Sequence, residues 1–210
     1  MARRSDHSRQ ELRELVLSAA REVVEKEGIS GLSTRALAKR IGYAPGTLYN
    51  VFHNLDDLIF VLNSRTVAEL RDRMEREANV ISDPGDRIRQ LANGYLAYAL
   101  AHPHLWRLAF QHQTPVGQVV PEETTRETTA VFTAVARLLG QLRPDLPQSE
   151  LMTVAAALWA GVHGVCHLAV TDKLKFADSA APQVILSSSV DVFLAGVAAS
   201  ASDQVGDVLQ

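Results

Sequence analysis

The sequence predicts an all-α fold, because helical periodicity recurs along the chain whereas strand signals are scarce. Apolar residues repeat at three- and four-residue spacing in one segment after another. No alternating apolar and polar run is bounded by hairpin turns. Of the 210 residues, 47% are apolar and 21% are charged, which is typical of a globular protein with a substantial core. We therefore expect about nine helices in one or two domains.

Three short helices are predicted at the start of the chain. Each begins or ends at a residue suited to that position: Gly28 and Gly42 just past helix ends, Ser33 at an N-cap, and Pro45 in a first turn. The predicted helices span residues 8–27, 34–41 and 45–51.

Six further helices are predicted after residue 54, separated by breaks rich in Pro, Asp and Gly. The first of them is long enough to link a small domain to a larger one. We therefore predict a small domain over residues 1–54 and a larger helical domain over residues 55–210. The six predicted helices span residues 55–80, 87–101, 102–110, 122–142, 148–171 and 181–200.

The net charge of −3 hides an asymmetry along the chain. Residues 1–53 carry nine Arg or Lys and six Asp or Glu, whereas the remainder carries twelve and eighteen. A basic first part suggests an anionic partner for that part alone. The single cysteine, Cys166, excludes an internal disulfide and fits a reducing cytoplasm. No apolar run is expected to reach the roughly 18 uncharged residues that a membrane span needs, so no membrane partner is expected.

The segment RIGYAPGTLYNVFHN (residues 40–54) has the features of a helix-turn-helix. Gly42 permits the left-handed backbone of a sharp turn. Leu48 and Phe52 are four residues apart and are expected to face the core. In DNA-binding versions of this motif the second helix lies in the major groove. Spacing alone leaves a second interpretation open, a helical hairpin whose two tyrosines are core aromatics.

Residues 31–59 resemble the DNA-binding segment of the TetR family of transcriptional regulators. The resemblance implies a homodimer whose first three helices bind an operator in double-stranded DNA. It also implies that the fourth helix links them to a domain for dimerisation and for binding a small-molecule effector. The positions that carry the resemblance are Leu32, Thr34, Arg35, Leu37, Ala38, Gly42, Thr47, Leu48, Tyr49, Phe52 and Leu58. The DNA contacts that it implies are Thr34, Arg35, Pro45, Thr47, Tyr49, Asn50 and His53.

The chain departs from the family pattern at Leu55, where a lysine is usual. A phosphate contact from that side chain is therefore not expected, although a backbone N–H at this helix start could serve instead. The basic residues near the N-terminus have two interpretations. Arg3, Arg4 and Arg9 either reach phosphates or belong to a solvated tail.

In the larger domain, ALWAGVHGVCHLAV (residues 157–170) resembles a C-terminal subtype of the same family, named for its Trp-His-Gly (WHG) signature. Trp159 and His163 are one turn apart on one helix face. The small residues around them suit either close helix packing or an apolar pocket between helices. The alternative for each aromatic residue is a place in the core. The candidate effector-binding residues are Tyr95, Trp106, Phe110, Met152, Trp159, His163 and His167.

Two other classes of site are disfavoured by the spacing of the reactive side chains. His163 and His167 have the spacing of a metal pair, but no CxxC motif and no acidic residue at ligand spacing accompany them. Nucleophile elbows and phosphate-binding glycine loops are absent from the sequence, so neither a cofactor nor an enzymatic activity is expected. An enzyme using the larger domain's pocket is the weakest alternative.

The sequence thus favours a ligand-responsive DNA-binding regulator, most consistent with a repressor that binds a palindromic operator as a homodimer and is released by a small molecule. Its last two helices are predicted to form the dimer interface, because they combine apolar and small residues. The main alternative is a DNA-organising or protein-interaction module without an effector.

Overall fold

The computed structural model describes residues 7–112, 120, 122–174 and 181–206. Throughout these residues the regular structure is helical, which confirms the predicted all-α class. The 3₁₀ helices are Ile29–Gly31 and Pro45–Asn50. The α-helices are α1 (Arg9–Glu27), α2 (Thr34–Ile41), α3 (Leu55–Ala78), α4 (Pro84–Ala101), α5 (Pro103–Gln111), α6 (Glu122–Leu142), α7 (Gln148–Val170) and α8 (Pro182–Gly206).

Side-chain caps and a left-handed glycine set the limits of the first two α-helices. The Ser8 hydroxyl accepts a hydrogen bond from the Glu11 amide, and the Glu11 carboxylate accepts one from the Ser8 amide. This reciprocal pair is a capping box, and its hydrogen bonds lower the pKa of Glu11. At α2, Ser33 accepts from the Ala36 amide, and Gly42 ends the helix with φ at 76°. The predicted limits of α2 at Ser33 and Gly42 are therefore confirmed.

The described residues form two compact units, and α3 runs through both. The first unit comprises residues up to Ala68 together with His102–Thr125, and the second comprises Glu69–Ala101 and the chain from Arg126 onward. The first unit thus includes α5 with the first three helices, although α5 follows them by fifty residues. The functional division after residue 54 remains a prediction.

The core of the first unit is built from α1, α2, helix 45–50, the start of α3 and α5. Leu48 and Phe52, the residues predicted to face inward, are only 3% and 4% exposed. Leu105 and Leu108 of α5 are buried in the same core. Apolar contacts on one side of the short helix 45–50 therefore attach it to this core, and side chains on its other side lie at the surface.

The second unit packs α4, α7 and α8 against one another. Arg89 of α4 donates to Asp191 of α8 over 2.7 Å. The buried Arg143 donates to both carboxylate oxygens of Asp145 and to the carbonyl of Val197 in α8. These polar contacts attach α8 to the rest of the unit at two separate positions along its length.

The sequence-based expectation about membrane-length apolar runs was wrong. Helix α7 and residues 182–199 of α8 are both long and apolar enough to cross a membrane, with mean hydropathies of 1.5 and 1.4. Lys, Arg, Asp and Glu are absent from residues 151–170, where the polar residues are uncharged or histidine, so this run exceeds the roughly 18 uncharged residues of a membrane span. Length and composition of this kind also occur in helices of soluble proteins.

Candidate functional site

The side chains predicted to contact DNA are accessible in the structure. Arg35, Pro45, Tyr49, Asn50 and His53 are exposed, and Tyr49 is 58% exposed. Thr34 and Thr47 are half-buried. The hydrogen-bonding side chains of this set have no protein partner in the described part of the chain. Tyr49 is thus a surface residue, which excludes the alternative that it is a core aromatic.

The basic side chains of α2 differ in whether they pair with a carboxylate. Arg40 forms an ion pair with Glu22 of α1, and its hydrogen bond lowers the pKa of Glu22. Arg35 and Lys39, in contrast, have no carboxylate partner among the described residues. Arg35 is exposed at the start of α2, where a helix N-terminus also attracts phosphate.

Helix α1 contacts the other elements of the motif through a row of polar side chains. His7, just before α1, places its Nδ1 atom 2.7 Å from the hydroxyl of Tyr43. Arg9 donates from Nε to the carbonyl of Asn50 over 3.0 Å. Glu14 accepts two hydrogen bonds, of 2.5 and 2.6 Å, from the guanidinium of Arg65 in α3. Arg9 therefore belongs to α1 and not to a tail, whereas Arg3 and Arg4 lie outside the described residues.

The junction between helix 45–50 and α3 is closed by side-chain hydrogen bonds. Asn54 accepts from the amide of Asp57 over 2.8 Å, and the carboxylate of Asp57 accepts from the amide of His53 over 3.1 Å. Leu55, the residue that replaces the usual lysine, packs against the core of the first unit. Its side chain is therefore directed into the protein.

Sequence reasoning missed the contacts that α1 makes with helix 45–50 and the residues after it. Besides Arg9, Arg13 places its guanidinium carbon 5.0 Å from the centroid of the Phe52 ring, within the range of a cation–π contact. The four-residue spacing of Arg9 and Arg13 was the available signal, because it puts both on one helix face.

The candidate effector-binding residues fall into the two units. Trp106, which is fully buried, and Phe110 lie in the first unit with ring centroids 5.5 Å apart. In the second unit, the hydroxyl of Tyr95 lies 2.9 Å from Nδ1 of His163, whose ring is 4.8 Å from that of Trp159. The remaining candidates, Met152 and His167, are half-buried residues of α7 in the second unit.

Burial shapes the protonation of the polar groups in α7. It lowers the pKa of His163, and the charge of His167 lowers it further. His163 is therefore a neutral imidazole at pH 7. Burial also raises the pKa of Cys166 to about 12, so this residue is an inert buried thiol.

The fold and the accessible polar surface define a helix-turn-helix DNA-binding regulator. Residues 16–62 match the family model of bacterial regulatory proteins of the tetR family, and residues 88–193 match that of the tetracyclin repressor-like C-terminal domain. The chain belongs to the TetR family.

A curated regulator is similar in sequence, and two solved structures share the fold. The HTH-type transcriptional regulator Rv1816 of Mycobacterium tuberculosis is 24% identical over 192 residues, covering 78% of this chain and 82% of the relative. A protein of unknown function from Rhodococcus sp. RHA1 is 25% identical, with a TM-score of 0.75 and coverage of 94% and 100%. The TetR regulator SCO7222 of Streptomyces coelicolor shares the fold at 21% identity, with a TM-score of 0.66 and coverage of 89% and 97%.

Proposed function

We propose that this chain is a ligand-responsive transcriptional repressor that binds a palindromic operator as a homodimer and is released by a small molecule. The observation that carries the proposal is the accessible set of polar side chains on and around helix 45–50, which have no partner in the described part of the chain. The proposed DNA contacts are Thr34, Arg35, Pro45, Thr47, Tyr49, Asn50 and His53. A regulator of this kind acts in the cytoplasm, and its family consists of transcriptional regulators and not of enzymes.

Dimerisation is supported by the apolar surface that the second unit leaves uncovered. Only 28% of the apolar stretch of α7 and 17% of that of α8 is buried within one chain. Val184 and Val192, which are 60% and 71% exposed, lie on the same side of α8. A second copy packed on these helices would remove that surface from water. Two-fold pairing would also present two recognition helices to the two half-sites of a palindrome.

The effector site is proposed to lie in the larger domain, residues 55–210. The C-terminal part of this domain is proposed to be of the WHG subtype. Its support is the contact between Trp159 and His163 and the position of Tyr95 beside the same imidazole. An effector shifts the DNA affinity only if it binds the DNA-bound and free states differently. The proposed contacts for it in the second unit are Tyr95, Met152, Trp159, His163 and His167. The other two predicted contacts, Trp106 and Phe110, lie in the first unit and stay predictions from the sequence.

The proposal is tested by titrating DNA from upstream of the chain's own gene and measuring fluorescence anisotropy at several salt concentrations. We expect tight, salt-sensitive binding that a scrambled fragment of the same length does not give. Arg35→Ala should weaken binding and reduce the slope of log affinity against log salt by about 0.9 for each phosphate that the protein no longer neutralises. Arg73→Ala is the matched control, since Arg73 pairs with Glu77 within α3.

Equal affinity for every DNA fragment would instead identify a DNA-organising module, and no binding to any fragment would rule out the regulator. Effector binding is tested with a small-molecule screen. The screen measures the melting temperature of the protein and the release of DNA from the complex. A compound that raises the melting temperature and releases DNA supports the repressor; DNA binding that no compound changes favours a module without an effector.

A further inference from the structure

Two arginines of α1 converge on the C-terminal end of the recognition helix, Pro45–Asn50. Arg9 donates from Nε to the carbonyl of Asn50, and Arg13 lies over the ring of Phe52. They are four residues apart and therefore share one face of α1. This helix end is thus attached to α1 by side chains as well as by the apolar core.

The carbonyl of Asn50 accepts from a side-chain donor, and the amide that a further helical turn would supply is used elsewhere. A helix end leaves its last carbonyls without an intrahelical partner. The amide that a further 3₁₀ turn would supply to this carbonyl is that of His53, and it donates instead to the carboxylate of Asp57 over 3.1 Å. The Arg9 guanidinium therefore supplies a donor to Asn50, and its positive charge is also favourable at a helix C-terminus.

We propose that Arg9 is a positioning residue for DNA recognition: it fixes the backbone of Asn50 and so presets the recognition helix for base reading. The proposal rests on the proposed function, since it concerns the same DNA surface. Arg9 would otherwise be assigned to the phosphate backbone, as an exposed arginine near this surface. The hydrogen bond to Asn50 instead directs its Nε donor into the protein.

The two roles differ in what they contribute to binding. A phosphate contact strengthens binding to every DNA sequence and adds to its salt dependence. A preset recognition helix strengthens binding only where base edges are read, because only there must the helix hold one orientation. Removal of the Arg9 side chain should therefore lower the ratio of specific to non-specific affinity.

The test compares Arg9→Gln with Arg21→Gln in the full chain. Both changes remove one positive charge from α1, but Arg21 pairs with Glu25 on the same helix. The first measurement is hydrogen exchange of the amides of residues 46–54 in the free protein, which needs no DNA. The second is affinity for the operator fragment and for a scrambled fragment, across a series of salt concentrations.

We expect Arg9→Gln to speed exchange in residues 46–54 and to lower the affinity ratio by about three- to tenfold, the effect that removing one hydrogen bond allows. Arg21→Gln should change neither. Unchanged exchange, or faster exchange with an unchanged affinity ratio, overturns the positioning role. A smaller salt slope with an unchanged ratio also overturns it and identifies Arg9 as a phosphate contact. A wild-type protein that prefers no DNA sequence contradicts the proposed function, whereas the exchange measurement still decides whether Arg9 holds the helix.

Discussion

Gly28 and Gly42 each come directly after the end of a helix, but they are subject to different conformational constraints. Gly42 has φ at 76° and ψ at 27°, in the left-handed region, and an added Cβ there would meet no atom within 4 Å. Gly28 has φ at 70° and ψ at −169°, a region open almost solely to glycine, and its added Cβ would lie 2.9 Å from Nδ1 of His104. The second site is therefore restricted by both the backbone and its neighbour.

We predict that Gly28→Ala is more destabilising than Gly42→Ala. The left-handed backbone should cost Gly42→Ala about 1 kcal/mol, whereas strain and the His104 contact should cost Gly28→Ala about 2–3 kcal/mol. Urea unfolding at fixed protein concentration measures both. Gly42→Asn is the control, since asparagine tolerates this conformation better than alanine. Equal destabilisation at Gly28 and Gly42 would contradict the prediction.

His163 predicts a pH dependence of stability. Its pKa is lowered in the folded protein from an ordinary value of 6.5. Between that value and the lowered one, the unfolded chain binds the proton and the folded chain does not, so stability falls as the pH decreases. Above pH 6.5 this contribution is fully present.

We expect His163→Gln to flatten this part of the stability profile. The measurement is the free energy of unfolding at about pH 7.5 and about pH 5.5, compared as a difference within each protein. The wild type should lose more stability than the variant over this interval. The comparison within one protein removes the cost of breaking the hydrogen bond with Tyr95. Parallel profiles would show that His163 does not contribute.

At the scale of elements, the junction after the recognition helix depends on Asn54 as the N-cap of α3. Asn54→Ala removes the acceptor for the Asp57 amide and should lower the free energy of unfolding by about 1 kcal/mol. Asn54→Ser, which keeps a capping oxygen, should retain most of the stability. Urea unfolding distinguishes them; similar destabilisation by Ala and Ser would exclude a capping role.

The elements themselves were largely predictable because their signals are local. Ser33, Gly42 and Pro45 set helix limits through their own backbone and side-chain chemistry, and the structure has those limits where the sequence indicates them. The hydrogen bond from Arg9 to Asn50 was not predictable, because it joins residues 41 positions apart. The 3₁₀ geometry of helix 45–50 also escaped prediction, since a six-residue segment shows too few turns to reveal its period.

At the scale of the whole molecule, sequence order was a poor guide to which helices pack together. α5 shares the core of the first unit, although the sequence placed Trp106 and Phe110 with the larger domain. Its apolar face identified a buried helix but not the partner that buries it. The candidate contacts to DNA needed no such long-range information, because a local motif carries them.

The proposed dimer leads to a prediction about the exposed face of α8. Val192 lies on the exposed face of α8 together with Val184, Ser188 and Ala195. If a second copy covers this face, Val192→Asp buries an unpaired charge, and two-fold symmetry can place that charge twice in one interface. We expect light scattering on a size-exclusion column to give the mass of one chain, 22.9 kDa, for the variant and about twice that mass for the wild type.

The same variant separates dimerisation from DNA reading, because it leaves every proposed DNA contact intact. Two linked recognition helices gain affinity from simultaneous binding, so the monomeric variant should bind the operator about a hundredfold more weakly. Its affinity for an isolated half-site should equal that of the wild type. Gln183→Glu adds the same charge at the exposed start of α8 and should change neither mass nor affinity. A Val192→Asp protein that remains a dimer would place the interface on another surface, and a monomer with full operator affinity would show that one recognition helix suffices.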